Sequence, residues 1–308
     1  MTYIKLLLTA IFWGGTFIAG RTIAGNVHPI SAAFLRFTIA TFFLLILTKK
    51  MEGRLPPLKK SQIVPVFLLG VTGVFAYNIL FFTGLQHIPA GRASLIVATN
   101  PIFISLLSAF FFKENLTLIK CIGIVISVFG AIIVISNGQI TDFMSYNFGK
   151  GEFFICCCVA TWVSYSLIGR AVMNGLSPVA SVCYSAVIGT VLLSVPAVFN
   201  GVVHEIALYS AIDWLCLFYV GFFGTVLGFF WYYEGINKIG PMKASVFINF
   251  VPISAIILAY FILGEPVTPS LFIGAVLVIS GVYATNTSEV FKRYWSNIKV
   301  FYEKRTAH

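Results

Sequence analysis

The sequence predicts an all-α polytopic membrane protein of ten transmembrane helices, built as two inverted five-helix repeats, and three observations carry that expectation. First, 59% of the 308 residues are hydrophobic and only 10% are charged, with a mean hydropathy of +0.96, too apolar for the water-facing surface of a soluble chain this long. Second, the chain divides into ten apolar runs, each near the roughly 20 residues that a helix needs to cross a bilayer core of about 30 Å. Third, the stretch from Gly84 to Gly130 is written again 151 positions later. Without a gap, Gly84 meets Gly235, Arg92 meets Lys243, Ala93-Ser94 meets Ala244-Ser245, Pro101 meets Pro252 and Glu114 meets Glu265; Thr117 meets Thr268, Gly123 meets Gly274 and Gly130 meets Gly281.

The ten runs lie at approximately 4–24, 30–48, 62–83, 91–112, 118–136, 150–171, 178–199, 212–235, 243–263 and 268–286. Proline and glycine mark most joints, as at His28-Pro29, Ser177-Pro178 and Gly240-Pro241, where the chain stops one helix and starts the next. The first run follows a single Lys5, lacks a small-residue cleavage site and contains Trp13-Gly14, which is echoed downstream, so it is expected to be retained as a span rather than removed as a signal.

Ten spans put both termini on one side, and the charges say which. With cytoplasmic ends, the inner connectors hold Lys49, Lys50, Arg54, Lys59, Lys60, Lys113, Lys120, Arg170, Lys238 and Lys243, whereas the outer ones hold little beyond Arg21, Arg92 and Lys150 beside Asp142, Glu152, Glu205 and Asp213. This is the positive-inside bias of an inner-membrane protein. It also accounts for the net charge of +10 without a nucleic-acid partner, because the bases sit in connectors and the tail rather than along a face. The tail, 287–308, mixes bases with Phe291, Tyr294, Trp295, Phe301 and Tyr302; it reads either as an amphipathic cytoplasmic segment on the anionic leaflet or as a solvated basic tail.

The repeat reaches into the earlier spans with a shift of 149, pairing Trp13 with Trp162, Gly20-Arg21 with Gly169-Arg170, and Pro29 with Pro178; Gly70 and Gly73 meet Gly221 and Gly224. Each half, 1–137 and 149–286, therefore holds five spans, and an odd number forces the second half to enter the membrane upside down.

Trp13-Gly14 in the first span, Arg36 in the second, the pattern around Ala93-Ser94 and Pro101, the turn Lys113-Glu114-Asn115-Leu116-Thr117, Gly123 to Gly130, and Gly264-Glu265-Pro266-Val267-Thr268 with Gly274 and Gly281 together resemble the EamA family of the drug/metabolite transporter superfamily. The resemblance covers nearly the whole chain. It implies a ten-helix carrier with a central cavity and alternating access, most often an exporter of amino acids or related metabolites, and it does not name the solute.

The residues expected to bind that solute are the polar and aromatic ones within spans. Arg36 lies about 9 Å of helix rise past the start of its run, and a charge at that depth is costly. Two readings stay open: an anchor for a substrate carboxylate or gating contact, and a snorkelling side chain bonded to carbonyls or headgroups. The fourth and ninth runs carry matched small or polar stripes, Ser94, Pro101, Ser105 and Ser108 against Ser245, Asn249, Pro252 and Ala259. The prolines Pro101 and Pro252 are expected to kink their helices and free carbonyls near Val97 and Ile248, which must then face protein or water. Asn100 and Asn249 add amides beside them. Among the aromatics, Trp13, Tyr77, Trp162, Tyr165, Trp231 and Tyr232 stand near small or polar residues such as Thr16, Asn78 and Gly228, and Trp13 with Trp162 is expected to form an aromatic wall. Purely packing roles remain the alternative for each.

Glu114 and Glu265 precede helices and are read as structural, complementing positive helix ends with Thr117 and Thr268 as caps. The glycines at 123, 130, 274 and 281 are read as close-approach positions. The six cysteines lie in apolar runs and are read as packing residues, with neither metal nor cofactor expected. Glu234, near the end of its run, is the one acidic residue within reach of a span, so the sequence assigns no coupling ion. An enzyme is not expected: His204-Glu205-Ile206-Ala207-Leu208 lacks the second histidine of a zinc-protease motif, and no paired carboxylates lie in the spans. Carriers of other solutes in the same superfamily, for drugs, sugar phosphates or nucleotide-type metabolites, stay open as alternatives. The partners expected are a small solute and the bilayer, and the sequence does not fix an oligomeric state.

Overall fold

The computed structural model describes residues 1–88, 93, 96–136, 149–263, 269–270 and 272–287, and among them there are helices and no strand. Arg92, Ser94, Glu265, Thr268 and the tail beyond Thr287 lie outside the described residues. Seven helices are long and apolar enough to cross a membrane: α1 (Thr2–Ile23), α2 (Pro29–Glu52), α3 (Lys60–His87), α6 (Lys150–Val172), α7 (Pro178–Phe199), α8 (Ala211–Ile239) and α9 (Pro241–Ile262). Three shorter apolar helices, α4 (Asn100–Phe112), α5 (Leu118–Ile133) and α10 (Phe272–Thr287), fall within the remaining expected runs. Large apolar side chains such as Phe110, Phe111, Val125, Phe199, Phe261 and Phe272 are exposed on the outside of the bundle. Apolar exposure of that extent suits lipid rather than water, and the chain is a multi-pass membrane protein.

Local sequence explains the helix starts. Pro29 and Pro178, related by the repeat, sit in the first turns of α2 and α7, where proline's missing N–H costs nothing; the side chains of His28 and Ser177 accept from Ile30 N and Ala180 N. Ser210 and Asp213 form a reciprocal capping box at the start of α8. Sequence periodicity does not reveal that α3 and α8 each contain a π-helical turn, Gly70–Ala76 and Phe222–Leu227. A π turn leaves carbonyls without their usual partners, and such turns concentrate at functional positions.

Packing repeats itself across the halves. Thr41 and Thr190, which are repeat mates, share a hydrogen bond at 2.9 Å between α2 and α7, and the mates Trp13 and Trp162 meet edge to face at 5.2 Å. A residue that touches its own counterpart lies beside a two-fold axis. Where α5 crosses α10 the relation is reciprocal: a side chain at Gly123 would come within 2.7 Å of the Gly281 carbonyl, and one at Gly130 within 2.7 Å of the Gly274 carbonyl. Only glycine lets the two backbones approach so closely.

The spans α4 and α9 depart from regular helix before their prolines. A turn at 98–99 precedes α4, and α9 passes through a 3-10 segment, Val246–Asn249, before continuing as Phe250–Leu263. Pro101 therefore stands in the first turn of a helix rather than kinking one at mid-length. At one end of the bundle, Glu234 is paired with Lys5 at 2.6 Å and with Lys238 at 2.5 Å, and Arg170 donates to the Asn237 carbonyl at 3.0 Å. Thr117 caps α5 by accepting from Lys120 N at 3.3 Å, whereas Glu114 serves a different helix from the one it precedes. Its carboxylate lies against Gly240 and the backbone of Met242 in the first turn of α9, and burial there holds its pKa above the usual carboxylate value.

Candidate functional site

Arg36 is the centre of a buried polar network that reaches a cavity. About a third of the way along α2, it is 4% exposed, so its guanidinium does not reach the headgroup boundary that a snorkelling side chain needs. Its described hydrogen bonds go to side chains on two other helices. Nε donates to Thr225 Oγ1 at 2.8 Å on α8, and Nη1 donates to Asn78 Oδ1 at 3.0 Å on α3.

Both acceptors are set by the π turns. Asn78 Nδ2 donates to the carbonyls of Val74 at 2.8 Å and Gly73 at 3.3 Å, both in the first π turn, and this fixes Oδ1 toward Arg36. Thr225, within the second π turn, donates to the Val220 carbonyl at 2.9 Å, which leaves its oxygen lone pairs for the guanidinium. Among the described residues no carboxylate forms an ion pair with Arg36. The rings of Phe37 and Phe229, with centroids 5.4 and 5.8 Å from the guanidinium carbon, supply cation–π stabilisation instead.

The cavity beside Arg36 encloses about 40 Å³, room for a few waters. Of the residues expected from sequence, Trp13, Thr16, Arg36, Tyr77, Asn100 and Trp162 line it together. Trp13 is fixed by a 2.9 Å bond from Nε1 to the Gly224 carbonyl, another group in the second π turn, and Thr16 Oγ1 donates to the Trp13 carbonyl at 2.7 Å. Trp162 packs against Trp13, Tyr77 and Phe229, all with centroids 5.2 Å from its own. Asn100 donates from Nδ2 to the Val97 carbonyl at 2.9 Å, the carbonyl that Pro101 was expected to free.

Other expected residues stand elsewhere. Asn78 is behind Arg36 and reaches the cavity only through it. Tyr165, fully buried, is behind Trp162, with its hydroxyl 3.2 Å from Ser185 Oγ. Trp231 stacks on Phe12 at 5.8 Å, away from the cavity lining. Asn249 is also outside that lining and bridges α9 to α5 through Ser127 Oγ at 2.9 Å, so it holds the scaffold. Pro252 follows the 3-10 segment without lining the cavity.

Sequence reasoning missed Thr225, a lone threonine in an apolar run, and Phe17, Phe81, Phe229 and Val251, which complete the walls together with Val97 and Ile248, the positions named for their freed carbonyls. The matched pairs Gly70/Gly73 and Gly221/Gly224 mark where the two π turns occur, and they were the available signal for Thr225. A larger recess of about 370 Å³ lies between α4 and α6, lined by residues such as Phe103, Leu107, Val159 and Val163, but it holds no charged group to orient a polar solute.

The comparisons with known proteins agree with this architecture. The family model described as "EamA-like transporter family" matches residues 1–136 and again 149–287. A Bacillus subtilis (strain 168) protein named "Uncharacterized transporter YyaM" is 34% identical over 284 residues, covering 91% of this chain and 92% of its own. A Streptantibioticus cattleyicolor protein named "Probable terminal-alkyne amino-acid exporter" is 25% identical over 289 residues, with 94% of each chain covered. A crystal structure 20% identical in sequence superposes with a TM-score of 0.73 over 91% of this chain and 94% of its own, a likeness of fold. With the family matched in both halves and a relative above 30% identity across the full length, this chain belongs to the EamA-like transporter family.

Proposed function

We propose that the protein is a secondary transporter that moves small metabolites by alternating access, and that its solutes are amino acids or amino-acid-like metabolites carried outward. The observation that carries this reading is the enclosed Arg36, a cation at a cavity wall without a described carboxylate partner. A buried charge is retained only when something compensates it. Two neutral acceptors and two rings compensate it in part; a solute carboxylate completes the shell through a charge-assisted bond. The aromatic lining supports an amphipathic solute, and a single basic residue on the wall is a poor match for a phosphate dianion, which draws clusters of bases. The exporter name of the Streptantibioticus cattleyicolor relative supports the same class.

In this reading 1–137 and 149–286 are two EamA-like halves of opposite orientation and 287–308 is a cytoplasmic tail, supported by the sequence repeat and the reciprocal contacts. The protein sits in the bacterial inner membrane with both ends cytoplasmic, supported by the charge bias. In the same reading it is a carrier rather than an enzyme, supported by the match to a transporter family and by relatives named as transporters. The breaks in α4 and α9 beside the cavity are suited to opening it, because the present space is smaller than an amino acid.

Purified protein in proteoliposomes, tested for uptake and efflux of the twenty labelled amino acids and related metabolites, decides the matter. Transport of a subset of carboxylated solutes is expected, and no transport across the panel overturns the reading. A reporter fused after His308 is expected to be active in the cytoplasm; activity confined to the periplasm overturns the orientation.

A further inference from the structure

A second polar residue lines the cavity beside Arg36. Among the described residues, seven buried side-chain atoms have no hydrogen-bond partner, and one of them, Asn100 Oδ1, belongs to a residue that lines this cavity. Asn100 is 1% exposed. Its amide orientation follows from its own bonding: Nδ2 must be the atom facing the Val97 carbonyl, since two oxygens would repel, and this turns Oδ1 the other way. An enclosed amide oxygen without a donor is a costly arrangement, and the neighbouring polar groups do not relieve it. Thr16 donates to the Trp13 carbonyl, Trp13 donates to the Gly224 carbonyl, and Arg36 spends Nε and Nη1 on Thr225 and Asn78.

Two residues of this lining, Arg36 and Asn100, thus keep an unspent donor and an unspent acceptor. No described hydrogen bond uses Arg36 Nη2, which lies on the side of Gly224, 3.8 Å from where a side chain there would begin. A donor pole with a formal positive charge and an acceptor pole without one match a zwitterion, whose carboxylate seeks the first and whose ammonium seeks the second.

We propose that Asn100 Oδ1 reads the α-ammonium of the solute while Arg36 holds its carboxylate, so that the protein selects α-amino acids over the corresponding deamino acids. This rests on the function proposed above and narrows it: a carboxylate carrier that ignores the amine would satisfy that reading and fail this one. The repeat does not duplicate the pole, because the position corresponding to Asn100 in the second half is Val251, which lines the same cavity as an apolar group. One polarity, rather than two opposed copies, is therefore built into the wall. The aromatic sides formed by Trp13, Trp162 and Tyr77 then receive the solute's side chain, which favours apolar and aromatic amino acids.

The test uses the full-length protein in proteoliposomes and in detergent, with L-leucine against 4-methylpentanoate and L-phenylalanine against 3-phenylpropanoate, pairs that differ in the amine alone. The wild type is expected to prefer each amino acid by about tenfold or more, in transport and in ligand-induced thermal stabilisation. Asn100→Leu is expected to lose most of that preference while still moving the deamino acids, and Asn100→Asp, which restores an acceptor with added charge, to keep it. The comparison in the wild type needs no variant, so a misfolded Asn100→Leu does not rescue the idea. Equal handling of the two members of each pair overturns it, as does a wild type that takes neither leucine nor phenylalanine, or an Asn100→Leu that weakens both members by the same factor. The broader function fails separately, when none of the twenty amino acids or related metabolites moves.

Discussion

The seam between α5 and α10 and the wall beside Arg36 come from the same duplicated sequence, yet they treat it in opposite ways. At the seam the copies agree: Gly123 and Gly130 meet Gly281 and Gly274 in reciprocal contacts, because two backbones that must touch leave no room for a side chain in either half. At the wall the copies diverge. The second-half position corresponding to Arg36 is Ser185, Asn78 corresponds to Phe229, Thr16 to Tyr165 and Asn100 to Val251. Packing across a two-fold axis is satisfied by equal halves. A two-fold axis cancels any dipole across it, so a donor pole and an acceptor pole on opposite sides of the axis require halves that differ. The π turns show the boundary between these regimes, since both halves have one, but the first presents Asn78 to Arg36 and the second presents Thr225.

On this contrast, substitutions at the wall change what is carried and substitutions at the seam change how well the bundle holds together. The largest effect is expected from Arg36→Gln. Removing a charge-assisted bond to the solute costs roughly 2–3 kcal/mol, about 30- to 150-fold in transport of carboxylated solutes at low concentration, measured as uptake into proteoliposomes. A folded Arg36→Gln that transports them normally would return Arg36 to a structural role. Next is Gly130→Val, whose new side chain must push the Gly274 carbonyl aside. Overpacking of that kind costs about 1–3 kcal/mol. It should lower the melting temperature in detergent while leaving the order of preferred solutes unchanged, whereas Gly25→Val, in open space, should do little to either. A change in solute order from Gly130→Val would erase the distinction between seam and wall.

The smallest effect is expected at Glu114, which joins the halves by reaching from the α4–α5 turn to the first turn of α9. Its pKa lies above the usual 4.5 because burial disfavours the charged form. A raised folded-state pKa means that the folded protein binds the proton more tightly. The associated stability is complete at low pH and is lost as pH rises through the raised value. Glu114→Gln, which mimics the protonated form, should therefore melt higher than the parent above that value, by roughly 1–3 °C, and lose the advantage in acid. A variant that melts lower at every pH would identify the carboxylate itself as the tie to Met242.

Much of the scaffold was legible because the bilayer admits few solutions. Apolar runs of the right length, proline at the helix starts and glycine at the crossings each follow from a single requirement that acts within about twenty residues. The site was legible in part and for the same reason: Arg36, Asn100 and the tryptophans are out of place in hydrocarbon, and such residues announce themselves. What the sequence did not separate were residues of equal oddity with different neighbours. Asn249 and Trp231 look like Asn100 and Trp162 along the chain, and only the packing of α5 against α9 and of Phe12 against Trp231 sends them away from the cavity. Thr225 was invisible for the converse reason, since a threonine inside a helix ordinarily bonds its own backbone.

By itself, then, the sequence determined that this chain is a helical membrane protein with a doubled plan, because hydropathy and repetition are properties of the chain read in order. Which polar groups share a space was decided by tertiary structure alone. Arg36, Asn78 and Thr225 come from three helices and up to 189 positions apart, and the two π turns rotate the last two into register. A rotation of that kind follows from which backbone carbonyls pair across a turn, and no periodicity in the sequence records it.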